Sequence, residues 1–86
     1  MVLLEKELKI LANRRRLLIL KFLEKEKEAT VGNVALHIKL SFKSTSKHLA
    51  LLRAVDMVER EQKELEMFYK LSGNPSRLLK FVLSLF

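Results

Sequence analysis

Residues Thr30 to Arg53 contain two short helical patterns on either side of a break at Lys39–Ser41, and not one Asp or Glu. In the first pattern Val31, Val34 and Ile38 share a face, with Thr30 placed to cap it. In the second, Ser41 is the cap, and Thr45, Leu49 and Leu52 recur at spacings of four and three. That buried stripe leaves Lys43, Ser44, Lys47 and His48 pointing away from it. A basic helix that follows another after a tight turn suits the major groove of DNA, whose phosphates favour its charge.

The flanking segments complete one small domain, residues 1–86. Leu4, Leu8 and Leu11 make an amphipathic helix of the first dozen residues, with Glu5, Lys6, Glu7 and Lys9 outside. Asn13 caps a run from Arg14 to Lys27 in which Arg16, Ile19, Leu20 and Leu23 share a face. Leu18 and Phe22 form a second apolar face on that run, so the helix should be sandwiched. The period changes after Met57. Val58 to Gln62 and Glu66 to Leu71 alternate loosely around Lys63–Glu64, as in a two-stranded hairpin. Ser72-Gly73-Asn74-Pro75 is a break, with Asn74 as cap and Pro75 at the first helical position. The last helix, Ser76 to Phe86, is apolar nearly all round. The expected class is mainly α with a small β-hairpin, in the order α-α-α-α-β-β-α.

Charge sharpens the functional reading. Of the net +7, residues 1–55 carry 12 basic and 5 acidic side chains, while residues 56–71 carry 3 basic against 5 acidic. The positive field therefore lies on the helical part, where a polyanion would dock. With no cysteine, disulfides, thiol catalysis and thiolate metal sites are excluded. The longest apolar tract, Leu78 to Phe86, is interrupted and far below the roughly 20 residues needed to span a bilayer. The N-terminus, with charges every few residues from Glu5, has no targeting pattern, so a cytoplasmic, membrane-free protein is expected. Two histidines, two glycines and no convergent carboxylates leave nothing for acid–base, nucleophilic or phosphate-loop chemistry, and no cofactor is implied.

From Leu8 to Leu71 the sequence resembles the ArsR-type winged helix-turn-helix repressors. The parts that carry the resemblance are LKILANRRRLLILKFL, TVGNVALHIKLS, STSKHLALLR and MVEREQKELEMFYKL. Ser46 to Leu49 followed by Leu52-Arg53 matches the family's recognition helix especially well. The resemblance implies a homodimeric regulator, paired through its first and last helices, that binds double-stranded DNA. Three departures stand out: the family usually has glycine where Lys39 and Asp56 stand here, and another in the wing near Lys63. Such positions often need φ > 0, which Asp56 tolerates best. The wing is also acidic, with Glu59, Glu61, Glu64 and Glu66 against Arg60 and Lys63, and should contribute less to DNA binding than the family norm. The family's metal sites need cysteines after Thr30 or His and carboxylates in the last helix. Neither set is present, so metal sensing is not expected.

The DNA-binding candidates are Phe42, Lys43, Ser44, Ser46, Lys47, His48, Arg53 and Arg16. Lys43 and Lys47 should reach bases or phosphates, and Ser44 a phosphate or base, while Thr45 belongs to the core. Phe42 either packs on the preceding helix or touches a thymine methyl. His48 touches a phosphate or packs on the second helix, and Arg53 sets register on the backbone. Arg14, Arg15 and Arg16 open a helix, where cations oppose the macrodipole. A phosphate at that end would account for them, and Arg16, which aligns with a family arginine, has a structural reading as well. Apolar residues exceed what so small a chain easily hides. Leu4, Leu8, Leu11, Leu78, Leu79, Val82, Leu83 and Phe86, within Met1–Leu11 and Pro75–Phe86, are therefore the expected dimer interface. The alternative function is a winged-helix module that binds protein and not specific DNA.

Overall fold

A computed structural model describes residues 1–86. Helices α1 (Val2–Leu11), α2 (Arg14–Glu26), α3 (Val31–Ile38), α4 (Phe42–Ala54) and α5 (Arg77–Leu83) enclose one core. Strands β1 (Ala29–Thr30), β2 (Val58–Lys63) and β3 (Glu66–Leu71) form an antiparallel sheet in the order β1-β3-β2. The expected helix and hairpin order is present with one correction, because the sheet has three strands. Ala29 pairs with Tyr69 and Thr30 with Phe68, covering the outer edge of β3. A two-residue strand has no alternation to read. Its pairing is decided by the need to satisfy backbone groups along an otherwise open edge.

Helix starts follow the caps. Asn13 Oδ1 accepts from the Arg16 N–H at 3.1 Å, Thr30 Oγ1 from Asn33 at 3.2 Å, and Ser41 Oγ from Ser44 at 3.1 Å. Each such cap contributes about 1 kcal/mol. The last helix corrects the expected start. Ser76, not Asn74, is its cap, accepting from the Leu79 N–H at 3.1 Å. The reason is tertiary: the Ser76 hydroxyl donates to the buried Glu7 carboxylate on α1 at 2.8 Å, which holds Ser76 in place. At the other end of α5, Lys21 Nζ donates to the Leu83 carbonyl at 2.8 Å, and Leu85 and Phe86 lie beyond the helix.

The core gathers Ile19, Leu20 and Leu23 from α2, Val34 and Ile38 from α3, and Leu49 and Leu52 from α4. Met57, Val58 and Tyr69 close it from the sheet side. Each large side chain buried here stabilises the fold by about 1.5–3 kcal/mol. Leu11, Leu79 and Leu83, expected at a dimer interface, belong to this same core and are buried within one protomer. A helix packed on its own domain puts its most apolar stripe inward first, which explains the reassignment. Apolar surface on the terminal segments remains exposed at Leu4, Leu8, Phe81, Leu85 and Phe86, with Leu78 and Val82 half-buried. The second apolar face of α2 is only partly covered. Phe22 stacks on His37 of α3, with centroids 4.2 Å apart, while Leu18 stays exposed.

Candidate nucleic-acid interface

The turn between α3 and α4 sets where α4 points. Lys39 closes α3 in the left-handed region (φ 56°, ψ 53°), where an L side chain costs roughly 1 kcal/mol. The strain is held from two directions. The Leu40 N–H bonds back to the Ala35 carbonyl at 3.1 Å, the 6→1 closure of a helix end. From α2, Arg15 Nη1 donates to the Ile38 and Lys39 carbonyls at 3.3 and 3.4 Å. Asp56 (φ 59°) ends α4 in the same way, with Met57 N–H on the Leu52 carbonyl at 3.0 Å. In the wing, the positive φ falls on Glu64 (55°), next to Lys63, in the region where one was expected. Lys27 (φ 74°), at the end of α2, is a fourth such residue without any sequence signal.

Around α4 the inward face is Thr45, Leu49 and Leu52. Lys43 and Lys47 lie one turn apart on the opposite, exposed face, followed by the small Ala50 and Ala54. The ion pairs of the molecule are Lys21–Glu24, Lys63–Glu28, Lys63–Glu61 and Lys70–Glu59, so no carboxylate neutralises α4. Phe42 is 63% exposed at the first helical position, and Arg53 is exposed on the same flank. Ser44 and Ser46 are half-buried. The expected residues other than Arg16 thus lie on one helix, with a free cationic stripe and two polar flanks.

Arg16 is placed elsewhere. Its Nε donates to the Ile10 carbonyl at 2.7 Å and Nη2 to the Lys9 carbonyl at 3.5 Å, both at the end of α1. Nη1 lies 3.3 Å from His48 Nδ1 on α4. A guanidinium has only donors, so Nδ1 accepts, and the imidazole is neutral with its proton on Nε2. Burial, then the Arg16 and Arg15 charges, hold His48 below the usual histidine range. Of the two readings of His48, the one that sets it against the second helix agrees with this contact, which is made through a polar atom of the ring. Arg15, clamping the turn, had no sequence signal beyond the three successive arginines.

The wing carries little free positive charge. Lys63 Nζ is held by both Glu28 oxygens, at 3.0 and 2.9 Å. That hydrogen bond raises the Lys63 pKa against the opposing effect of burial, and the charges of Glu28 and Glu61 add to the rise. Lys70 pairs with Glu59 at 3.5 Å. Leu65 at the tip is 96% exposed. No three His, Cys, Asp or Glu side chains converge to hold a metal ion, and no helix is long and apolar enough to cross a membrane.

A capped basic helix after a clamped turn, backed by a sheet with a projecting hairpin, defines a winged helix-turn-helix protein. The chain belongs to the arsR family of bacterial regulatory proteins, whose profile matches residues 13–60. Solved structures agree. HlyU from Vibrio cholerae N16961, in its reduced form, is 34% identical over 98% of this chain and 84% of its own, with a TM-score of 0.82. The transcriptional repressor PagR of Bacillus anthracis is 27% identical over 95% of this chain and 93% of its own, at 0.77. The homodimeric DNA-binding domain of Mb0332 from Mycobacterium bovis is 25% identical over 96% of this chain and 73% of its own, at 0.81. Among curated proteins none matches this sequence. The chain is a DNA-binding transcriptional regulator and not an enzyme.

Proposed function

We propose that this regulator is a metal-independent homodimeric repressor that reads double-stranded DNA with α4. The observation that carries the reading is the unpaired Lys43–Lys47 stripe on the outward face of a helix whose turn is clamped from α2. Lys43, in the first turn, reaches base edges; Lys47 reaches a base or phosphate; Phe42, Ser44, Ser46, His48 and Arg53 form the flanks. Repression is supported by the likeness to PagR, and pairing by the likeness to the Mb0332 homodimer. Pairing through α1 and α5 is further supported by exposed Leu4, Leu8, Phe81, Leu85 and Phe86. Metal independence rests on the lack of converging ligands.

Selection from a random duplex library, followed by affinity against salt, tests this. A roughly palindromic sequence with a steep salt slope is expected, and Lys47→Ala should cost about 1–3 kcal/mol if Lys47 reads a guanine. If Lys43→Ala and Lys47→Ala together leave affinity intact at physiological salt, α4 is not the reading helix. One observation favours a protein-binding module instead: the acidic wing, with Lys63 committed to Glu28 and Leu65 bare at its tip. A partner bound with little salt dependence, and no selected DNA sequence, would establish that reading.

A further inference from the structure

We propose that Arg16 is a positioning residue of the DNA-binding surface, tying the end of α1 to His48 and so fixing both the His48 tautomer and the placement of α4. The inference rests on the DNA-binding reading above and assigns Arg16 a role without DNA contact. Each of its three guanidinium nitrogens makes a hydrogen bond inside the molecule: Nε to Ile10, Nη2 to Lys9, and Nη1 to His48. The two carbonyls are among those the end of α1 cannot satisfy within the helix, so a cation is favoured there. The third bond crosses to α4, 32 residues further along the chain. One planar group therefore spans two helices through its own α2, and its fork fixes direction as well as distance.

Two consequences follow for DNA. First, His48 Nδ1 is occupied as an acceptor, so its Nε2–H is left as the only donor the ring can offer a phosphate. Second, α1 is a pairing helix in the proposed dimer. The α1-to-α4 tie then sets how far apart the two copies of α4 stand, and with it the half-site separation that fits. Half-site geometry would thus be held by a side chain that touches no nucleotide.

The test uses wild type, Arg16→Met and His48→Ala, with the operator selected from the random library and versions lengthened or shortened by one base pair between half-sites. Nitrogen-15 NMR of the free wild type should show His48 protonated at Nε2 and bare at Nδ1. Wild type should prefer the selected spacing, and the preference, as a ratio of affinities, should fall on the order of tenfold in Arg16→Met. His48→Ala should lose the same preference while keeping the Arg16 bonds to α1, and it carries the test if Arg16→Met does not fold. A role confined to capping α1 predicts the preference retained in His48→Ala. An Nδ1–H tautomer in wild type, or an unchanged spacing ratio in His48→Ala, overturns the proposal alone. Failure of wild type to bind any duplex overturns the DNA-binding reading and this one with it.

Discussion

Thr45 sits fully buried on the inner face of α4 with its hydroxyl lacking any hydrogen-bond partner. An unsatisfied buried hydroxyl costs on the order of 1–3 kcal/mol, and valine has nearly the same shape. Thr45→Val is therefore expected to stabilise the protein by about 1 kcal/mol in urea unfolding without altering DNA affinity; a loss of stability would mean the hydroxyl has a partner after all. His48 gives a pH-dependent case. Its folded pKa lies below the unfolded value, through burial and then Arg16 and Arg15, so the unfolded chain binds the proton more readily. The stability this group contributes is complete above about pH 6.5 and is lost as pH falls from there through the lowered folded pKa. His48→Gln should flatten the stability profile in that window. If the wild-type profile is already flat there, the neutral-imidazole assignment fails.

At the scale of elements, the turn between α3 and α4 combines a strained residue with a remote clamp. Neither glycine of the chain has a positive φ, and the four residues that do are Lys27, Lys39, Asp56 and Glu64. Lys39→Gly should relieve the left-handed strain and stabilise by up to about 1 kcal/mol, partly offset by the greater freedom of glycine when unfolded. Arg15→Met removes the donor from the Ile38 and Lys39 carbonyls and should loosen the turn locally. Hydrogen exchange at the first amides of α4 should rise in Arg15→Met and stay at the wild-type level in Lys39→Gly. Equal protection in all three proteins would show that the clamp holds nothing. The order of these elements was readable in the sequence because caps and hydrophobic period act over three or four residues. The clamp was not, since Arg15 and Ile38 are 23 residues apart.

For the whole molecule, the longest dimension is 38 Å, about the separation of successive major grooves along one face of DNA, and in the proposed dimer each protomer would bring one basic helix, α4, to read it. Two protomers are thus needed to occupy two grooves about 34 Å apart. Leu4 and Leu8, 45% and 49% exposed on α1, are suited to test pairing because their loss does not open the core. Leu4→Glu with Leu8→Glu should give a folded monomer by sedimentation and circular dichroism, with affinity for the full operator reduced to that of a half-site. A double variant that still sediments as a dimer would move the pairing surface elsewhere. Leu79 would be a poor choice, because a charge there enters the core and unfolding would mimic dissociation.

By itself the sequence determined the helix pattern, three of the four side-chain caps, the hairpin, the inward face of α4 and the stripe of Lys43 and Lys47. All of these depend on spacing within one or two helical turns, where residue type and period carry the information. Its resemblance to the family also marked Lys39 and Asp56 as positions that often need a left-handed backbone, which both adopt. Only the tertiary structure decided that Leu11, Leu79 and Leu83 serve the protomer's core, and that Ala29–Thr30 extends the sheet. It likewise turned Arg16 inward to His48, placed Ser76 at the start of α5 under Glu7, and tied Lys63 to Glu28. Each of those outcomes joins residues far apart in the chain through hydrogen bonds or packing with no periodic trace. A side chain that looks free to meet a phosphate is settled by whichever partner the fold brings within about 3 Å of it first.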